Sequence, residues 1–236
     1  MKTRESSQPH QLTMDRLLGH RAEGGGRKKN KDSGVPHLPR EGIVKGVPVH
    51  VTTHLVDGLP DLRVRGCMRV IREAFARSRA RAGSREDGFF RLTDYSVQGN
   101  HLHLIVEAGD ADALGRGLNG MFVRIAKGLN KLWKRKGKLF RERYHARVLR
   151  TPRQVYHALR YVLHNARRHG RQLRPGRPDP FSSGPWFEGW ADYEHDREGN
   201  HGADGWLAQE GPIARATSWL RRVGWRRYGL LRLRPA

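Results

Sequence analysis

Two histidines one residue apart, and a tyrosine and an asparagine four residues apart, are the groups in this chain best suited to chemistry. His101 and His103 lie in the run Gly-Asn-His-Leu-His-Leu-Ile-Val, whose alternation predicts a strand with both imidazoles on one face. Tyr161 and Asn165 have the spacing that places two side chains on one face of a helix. If the two faces meet, two imidazoles and an amide oxygen could hold a metal ion beside a phenol nucleophile. Such a site could break a phosphodiester bond.

Each of these groups also has a structural interpretation. Histidine pairs on strands occur as satisfied, half-buried side chains, and a tyrosine on the polar face of a helix is often an ordinary surface residue. Here Leu102 and Leu104 require the core face, which directs both imidazoles to the other face. Without a thiolate, the ligand set favours Mg²⁺ or Mn²⁺ bridging to phosphate over structural zinc, although zinc stays open. Glu107, on the same strand face, is either a partner that orients an imidazole or a solvated charge.

The charge of the chain indicates a polyanionic partner. Lys and Arg number 46 against 23 Asp and Glu, a formal net charge of +23, and such an excess binds nucleic acid through phosphate contacts. The excess is most concentrated in residues 121–177, where Trp133, Phe140 and Tyr144 are interleaved with basic residues and are predicted to stack unpaired bases. The candidate phosphate contacts in this region are Lys131, Lys134, Arg135, Lys138, Arg141, Arg143, Arg147, Arg167 and Arg168.

Other features exclude some classes of protein. No apolar run approaches the roughly twenty residues that a membrane-spanning helix needs, and the N-terminus lacks the apolar segment of a secretory signal. The single cysteine, Cys67, rules out an internal disulfide and fits a reducing compartment. We therefore expect no membrane partner and a cytoplasmic location.

Composition and periodicity predict three regions. Residues 1–42 are basic and lack apolar periodicity, which indicates a disordered arm. Residues 43–172 show strand and helix patterns in the order β-α-β-β-α-β-α. The first six predict an α+β, ferredoxin-like antiparallel sheet with helices on one face, and the seventh is the helix that carries the tyrosine. Residues 173–236 open with a proline-rich linker composition and continue as an extension rich in Trp and Arg, either a packing layer or a further DNA contact.

Local signals predict the helix bounds and their buried stripes. Thr151 followed by Pro152 supplies an N-cap and a first-turn proline, and the tyrosine helix is predicted to run to about His169. The inward stripes of the two earlier helices are predicted to include Val64 and Leu132.

Three motifs, in this order, resemble the Y1 tyrosine transposases, the IS200-like proteins and their relatives associated with repetitive extragenic palindromes (REP). They are Gly-Asn-His-Leu-His-Leu-Ile-Val at 99–106, Gly-Lys-Leu-Phe-Arg-Glu-Arg-Tyr-His at 137–145 and Arg-Tyr-Val-Leu-His-Asn-Ala-Arg-Arg at 160–168. The likeness covers residues 43–172. Ala166 departs from the pattern, because many relatives have proline there.

The resemblance implies an HUH-type endonuclease on a ferredoxin-like fold. His101, His103 and Asn165 would bind a divalent metal ion, Mg²⁺ or Mn²⁺. Tyr161 would attack single-stranded DNA next to a hairpin, leaving a 5′-phosphotyrosine and a free 3′-hydroxyl, and a later 3′-hydroxyl could reverse the step. The implied partner is single-stranded DNA with palindromic hairpins, the implied location is the bacterial nucleoid, and the protein would be a monomer or a homodimer that exchanges the tyrosine helix.

Other functions stay open at this point. One is a catalytically inactive protein of the same fold that binds single-stranded DNA or RNA hairpins. Another is a different metal- or histidine-dependent phosphoesterase, although the stretch 101–103 lacks the Ser or Thr of a two-histidine phosphoesterase motif. A basic ribosome-associated protein would explain the charge but not the paired motifs.

Overall fold

The computed structural model describes residue 43 and residues 45–80, 89–171, 173–193 and 211–233. The basic arm predicted for residues 1–42 lies outside the described residues. In the parts of the chain that are described, no helix has both the length and the apolar character needed to cross a membrane.

A four-stranded antiparallel sheet is the framework of the protein. The strands lie in the order β2-β3-β1-β4, and helices α1 and α2 connect β1 to β2 and β3 to β4. This is the split β-α-β arrangement, so the prediction of an α+β, ferredoxin-like fold is confirmed. The bounds are β1 Val49–His54, α1 Arg65–Ala80, β2 Phe90–Val97, β3 His101–Ala108, α2 Ala111–Leu132 and β4 His145–Val148.

Helices α1 and α2 cover one face of the sheet. Val51 of β1 and Leu104 of β3 point to this face and are fully buried, together with Met68 and Phe75 of α1 and Ile125 of α2. Because side chains alternate along a strand, the intervening residues of β1 and β3 point to the opposite face. That face carries the predicted histidine pair.

Two residues predicted to face the core are exposed instead. Val64 is 49% exposed and precedes the first residue of α1, while Leu132 is 41% exposed and is the last residue of α2. Trp133 caps α2, and Lys134 then turns the chain with a φ of 51°. A helical stripe indicates burial only while the helix continues over the sheet, and both residues lie where it does not.

The tyrosine helix lies on the opposite face of the sheet and is shorter than predicted. It comprises α3 (Pro152–Leu163) and a short continuation, α4 (Asn165–Arg168), separated by a break at His164. The predicted start is confirmed, because the hydroxyl of Thr151 accepts a hydrogen bond from the main-chain N–H of Gln154 at 3.2 Å.

The C-terminal residues share this second face. A second core forms where the buried side of α3 meets Ile105 of β3 and apolar residues from beyond residue 173. The structure therefore supports the packing interpretation of the C-terminal extension. The extension contributes Phe187, Trp190, Trp225, Leu231 and Leu233 to this core.

Candidate functional site

Five histidines lie close together on the face that carries α3, and we call them the histidine cluster. The ring centroids of His54 and His101 lie 5.0 Å apart, those of His50 and His103 5.4 Å apart, and those of His101 and His169 5.3 Å apart. The strand register explains the first contact, because His54 lies directly opposite His101.

Sequence analysis found only two of these five histidines. His50 and His54 lie four residues apart on β1, so the alternation of a strand points both side chains to one face. His169 continues the four-residue spacing of Tyr161 and Asn165, which is a signal that could have identified it.

Each predicted ligand imidazole has one ring nitrogen held by a neighbour. Nδ1 of His103 lies 3.1 Å from Oγ1 of Thr52, and Nδ1 of His101 lies 2.9 Å from Oδ1 of Asn100. The amide oxygen of Asn100 can only accept, so Nδ1–H of His101 donates to it, and the Thr52 hydroxyl can accept from His103 in the same way. This tautomer leaves the Nε2 lone pair of both rings available to a metal ion.

Three imidazoles of the site, those of His50, His101 and His103, are held in their neutral form. Burial lowers the pKa of His103 to about 3, with further lowering from neighbouring histidines, and it lowers the pKa of His101 to about 4 in the same way. Burial also lowers the pKa of His50 to about 4, and the guanidinium of Arg147, its partner on β4, contributes. Near pH 7 all three rings are neutral, which is the form that binds metal ions.

Tyr161 faces the histidine cluster within the same chain. Its Oη lies 3.5 Å from Nε2 of His103, and its ring centroid lies 5.0 Å from that of His103 and 5.9 Å from that of His50. The guanidinium carbon of Arg168 lies 5.4 Å from the centre of the phenol ring. The structure thus brings the predicted nucleophile to a predicted ligand and places a cation beside it.

Asn165 lies between two residues that contact the histidine pair. Tyr161, one turn earlier, reaches His103, and His169, one turn later, contacts His101. The Asn165 side chain is buried, and among the described residues neither its Oδ1 nor its Nδ2 has a hydrogen-bond partner. Burying an unpaired amide costs free energy, so this group is unsatisfied unless a ligand completes it.

The break between α3 and α4 is fixed by the buried ring of His164. One ring nitrogen lies 2.8 Å from the main-chain oxygen of Arg160, and the other lies 2.7 Å from the main-chain oxygen of Arg232. The ring also makes an edge contact with Trp190, at 5.5 Å between centroids. The C-terminal residues therefore hold the turn of backbone that positions Asn165, even though residue 166 is not proline.

The donor atoms at this site fit a divalent cation. Nε2 of His101, Nε2 of His103, which is only 3.5 Å from Oη of Tyr161, and one unpaired amide oxygen are donor atoms that Mg²⁺ and Mn²⁺ accept when phosphate supplies further oxygens. Within the described ranges, no three His, Cys, Asp or Glu side chains form a metal-binding group by themselves. A metal ion held by His101 and His103 would therefore take further ligands of another type, and the unpaired amide of Asn165 is the predicted candidate.

Glu107 has neither of the roles predicted for it. It is fully buried, and its carboxylate accepts hydrogen bonds from the main-chain N–H and the hydroxyl of both Thr217 and Ser218, at 2.6–3.1 Å. The neighbouring buried carboxylate of Asp94 accepts two hydrogen bonds from Arg221, at 2.6 and 2.7 Å. These two acids attach the C-terminal residues to the sheet. Their partners lie more than a hundred residues along the chain, beyond the reach of local pattern.

Two of the candidate phosphate contacts border the site. Arg147 lies opposite His50 on β4, and Arg168 contacts the ring of Tyr161. Arg135 is half-buried and donates to Asn130 and to a main-chain oxygen, which holds the loop after α2. Arg167 is also half-buried, whereas the exposed candidates are Lys131, Lys134, Lys138, Arg141, Arg143, Arg147 and Arg168.

The three aromatic residues predicted to stack bases pack largely inward. Phe140 and Tyr144 contact Phe122, with centroids 4.9 and 6.0 Å apart, and Trp133 packs against the main core. Their contribution to the core explains why they are interleaved with basic residues, and it weakens the prediction that they bind bases.

Comparison with known proteins supports the fold. No protein-family model matches the sequence, and no curated protein matches it. A solved structure of a REP-associated tyrosine transposase bound to a REP hairpin is similar, with a TM-score of 0.52 and 17% sequence identity. The similarity covers 78% of this chain and 100% of that chain. This chain therefore has the fold of a tyrosine transposase.

Proposed function

We propose that this protein is a metal-dependent single-stranded DNA endonuclease of the Y1 transposase type, which cleaves and rejoins DNA next to hairpins. The observation that carries the proposal is the position of Tyr161, whose Oη lies 3.5 Å from Nε2 of His103. The unpaired amide of Asn165 and the hairpin bound by the similar transposase support it.

In the proposed reaction, Oη of Tyr161 attacks the phosphorus of the scissile phosphodiester and loses its proton. The bond between phosphorus and the 3′-oxygen breaks, and that oxygen takes up a proton to become a free 3′-hydroxyl. The fragment on the 3′ side of the break remains attached to Tyr161 through its 5′-phosphate, as a phosphotyrosine ester. Attack by another 3′-hydroxyl reverses the step and joins new ends without an external energy source.

The surrounding residues hold the reacting groups in place. Thr52 and Asn100 fix the orientation of the two imidazoles. A divalent cation held by His101, His103 and Asn165 would polarise the phosphate and offset its developing charge. Arg147 and Arg168 border the same space and supply fixed positive charge to the DNA backbone.

The proposal is tested by looking for a covalent adduct on labelled single-stranded hairpin DNA with Mg²⁺ or Mn²⁺. We expect an adduct with the natural protein and none with Tyr161→Phe, because only the phenol oxygen is removed. Tyr156→Phe is the matched control, since Tyr156 lies on the same helix and its ring contacts are with Tyr228 and His157, which are outside the histidine cluster. His103→Ala should lose the adduct but keep most DNA affinity, because affinity depends on Lys and Arg.

Two results would contradict this function. An adduct retained by Tyr161→Phe would refute the nucleophile assignment. Tight hairpin binding by the natural protein with no adduct under any metal condition would favour the inactive hairpin-binding alternative.

A further inference from the structure

The C-terminal residues present an exposed surface that combines aromatic rings with arginines. Trp219 and Tyr228 are 50% and 49% exposed, although large aromatic side chains usually bury most of their area. Residues 211–233 contain six arginines and no acidic residue. We call Trp219, Arg222, Val223, Arg227 and Tyr228 the C-terminal surface.

These side chains lie together. Trp219 and Arg222 are the first and last residues of the short helix α5 (Trp219–Arg222) and lie three apart, so they share one face. Val223 is the C-cap, and its main-chain N–H donates to the main-chain oxygen of Trp219. The guanidinium carbon of Arg227 lies 4.9 Å from the centre of a Trp219 ring. Aromatic rings interleaved with arginine are the composition of sites that bind unpaired nucleotides.

A cavity of about 380 Å³ opens beside Trp219. Its lining includes Lys45, Phe89, Leu220 and Trp219 itself. Gly46, Thr217 and Ser218 complete the lining. Aromatic and aliphatic side chains together with one lysine suit a flat base that carries a phosphate. A basic polypeptide is not matched, because neither the cavity lining nor the C-terminal surface offers an acid to pair with basic side chains.

Hydrogen bonds and an ion pair attach the C-terminal surface to the sheet. The four hydrogen bonds to Glu107 hold Thr217 and Ser218 immediately before Trp219, and the ion pair with Asp94 holds Arg221 within α5. Trp225 is fully buried beneath the surface. A platform fixed in this way loses little conformational entropy when it binds a ligand.

The cavity lies at the far end of β3 from the histidine pair. The main-chain N–H of Gly46, beside Lys45, donates to the main-chain oxygen of Ala108, the last residue of β3, whereas His101 is the first. Eight strand residues span roughly 20–25 Å. Residues 228–232 lie beside α3. Tyr228 contacts Tyr156, and the main-chain oxygen of Arg232 lies 2.7 Å from Nε2 of His164.

We propose that the C-terminal surface is a second DNA contact that binds an unpaired nucleotide outside the cleavage site. The base stacks on Trp219 at the cavity, and Lys45, Arg222 and Arg227 contact the adjoining phosphates. This inference rests on the proposed function, because it takes the same DNA strand as the ligand. It adds a contact roughly 20–25 Å from the histidine pair, and the aromatic ring at that contact favours an unpaired base over a paired stem.

The test is a fluorescence-anisotropy titration of the full-length protein with labelled DNA hairpins that carry no extension or an unpaired extension of increasing length. Trp219→Ala should bind extended hairpins about 5- to 150-fold more weakly, which is the effect of removing one stacked base. It should bind the hairpin without an extension as the natural protein does. The proposal would be overturned if Trp219→Ala bound the extended hairpins as tightly as the natural protein does. It would also be overturned if the variant lost the same affinity for hairpins with and without an extension.

Trp219 also packs over Gly224, so its removal affects folding as well as binding. The salt dependence of binding in variants that change only exposed charges separates the two effects. The double variant Arg222→Gln, Arg227→Gln should reduce the slope of log affinity against log salt by about 0.7 per lost single-strand contact. The matched control, Arg77→Gln with Lys127→Gln, removes two exposed charges from the helices on the opposite face and should leave the slope unchanged. A control that changes the slope as much as the test variant would refute the assignment.

Photocrosslinking distinguishes failure of this inference from failure of the proposed function. DNA with 5-iodouracil in the extension should crosslink to Trp219 in the natural protein and in Tyr161→Phe alike. A crosslink elsewhere, with a normal Tyr161 adduct, would overturn the C-terminal surface and leave the nuclease intact. A Trp219 crosslink without any Tyr161 adduct would uphold the surface and remove the nuclease.

Discussion

Among the single residues of the site, Asn165 stands out because neither polar atom of its side chain has a hydrogen-bond partner among the described residues. Its amide is 1% exposed and lies on a helix turn whose other inward residues are apolar or aromatic. A buried amide with no partner costs about 1–3 kcal/mol. Sites that carry such a cost are commonly those where a ligand offsets it, which supports the ligand role proposed for Asn165.

The substitution Asn165→Leu should therefore have opposite effects on stability and on metal binding. In the presence of a chelator we expect the free energy of unfolding to rise by about 1–3 kcal/mol, because an unpaired polar group is replaced by an apolar one. With Mn²⁺ present, the extra stability that the natural protein gains on binding should be lost. Chemical denaturation with and without the ion measures both effects. A fall in stability under chelation would show that the amide has a partner.

The sequence allowed the nucleophile and the histidine pair to be predicted, because both follow from local periodicity. Alternation along β3 fixed the face of His101 and His103, and a spacing of four joined Tyr161 to Asn165. The same rules extend to His169 and the β1 histidines once the strand register is known. The role of Glu107 could not be predicted, because its hydrogen bonds join segments that have no relation in sequence.

Among elements, the C-terminal segment is the part that local pattern describes least well. The order of strands and helices followed from apolar periodicity, which reports how each element meets a single core. Residues beyond 173 form short turns and bridges whose aromatic side chains fill a core shared with α3. Without a helical or strand period, neither their burial nor their attachment to Glu107 and Asp94 can be read from composition.

The substitution Glu107→Gln should loosen this segment without unfolding the sheet. Gln has one acceptor oxygen where the carboxylate has two, and its amide N–H groups face the donors of Thr217 and Ser218. Losing charge-assisted hydrogen bonds costs about 1.5–3 kcal/mol. Hydrogen exchange should therefore quicken at the main-chain amides of Thr217 and Ser218, and little in β3.

The control for that experiment is Glu73→Gln, which removes an exposed carboxylate from α1 on the other face of the sheet. It should leave exchange near residue 217 unchanged. Equal protection of these amides in Glu107→Gln and the natural protein would show that the carboxylate does not hold the segment.

For the whole molecule, the buried histidines couple stability to pH. The pKa of His50 and of His101 is lowered to about 4, and that of His103 to about 3, from about 6.5 in an unfolded chain. As pH falls below 6.5, the unfolded chain binds protons at these positions that the folded protein does not bind, so stability falls. The loss should extend from pH 6.5 to about 3, with His103 alone contributing below about pH 4, and should be absent above pH 7.5.

Chelated protein unfolded by denaturant at a series of pH values tests this dependence. Each proton bound only by the unfolded chain contributes a slope of about 1.4 kcal/mol per pH unit. His50→Asn should flatten the slope, whereas His157→Asn, at an exposed position on α3, should not. A slope between pH 6.5 and 4.5 that is identical in all three proteins would contradict the assignment.

The connectivity of the chain also indicates whether one active site is completed by one chain or by two. Only three residues separate β4 from α3, and α3 packs against Trp225 and Leu231 of its own chain. Exchange of the tyrosine helix between subunits would have to carry this second core with it or expose it to water. The phenol of Tyr161 already reaches His103 within one chain, so exchange is not needed to complete the site.

We therefore expect no recovery of activity when two inactive variants are mixed. Tyr161→Phe keeps the metal ligands, and His103→Ala keeps the nucleophile. If the helix exchanged, a mixed dimer would contain one site with both parts intact and would form the DNA adduct. If each chain completes its own site, every site in the mixture lacks one part, and the adduct stays absent at all ratios and concentrations. Adduct formation in the mixture, measured after co-refolding so that exchange has every opportunity, would show that the natural protein acts as an exchanged dimer.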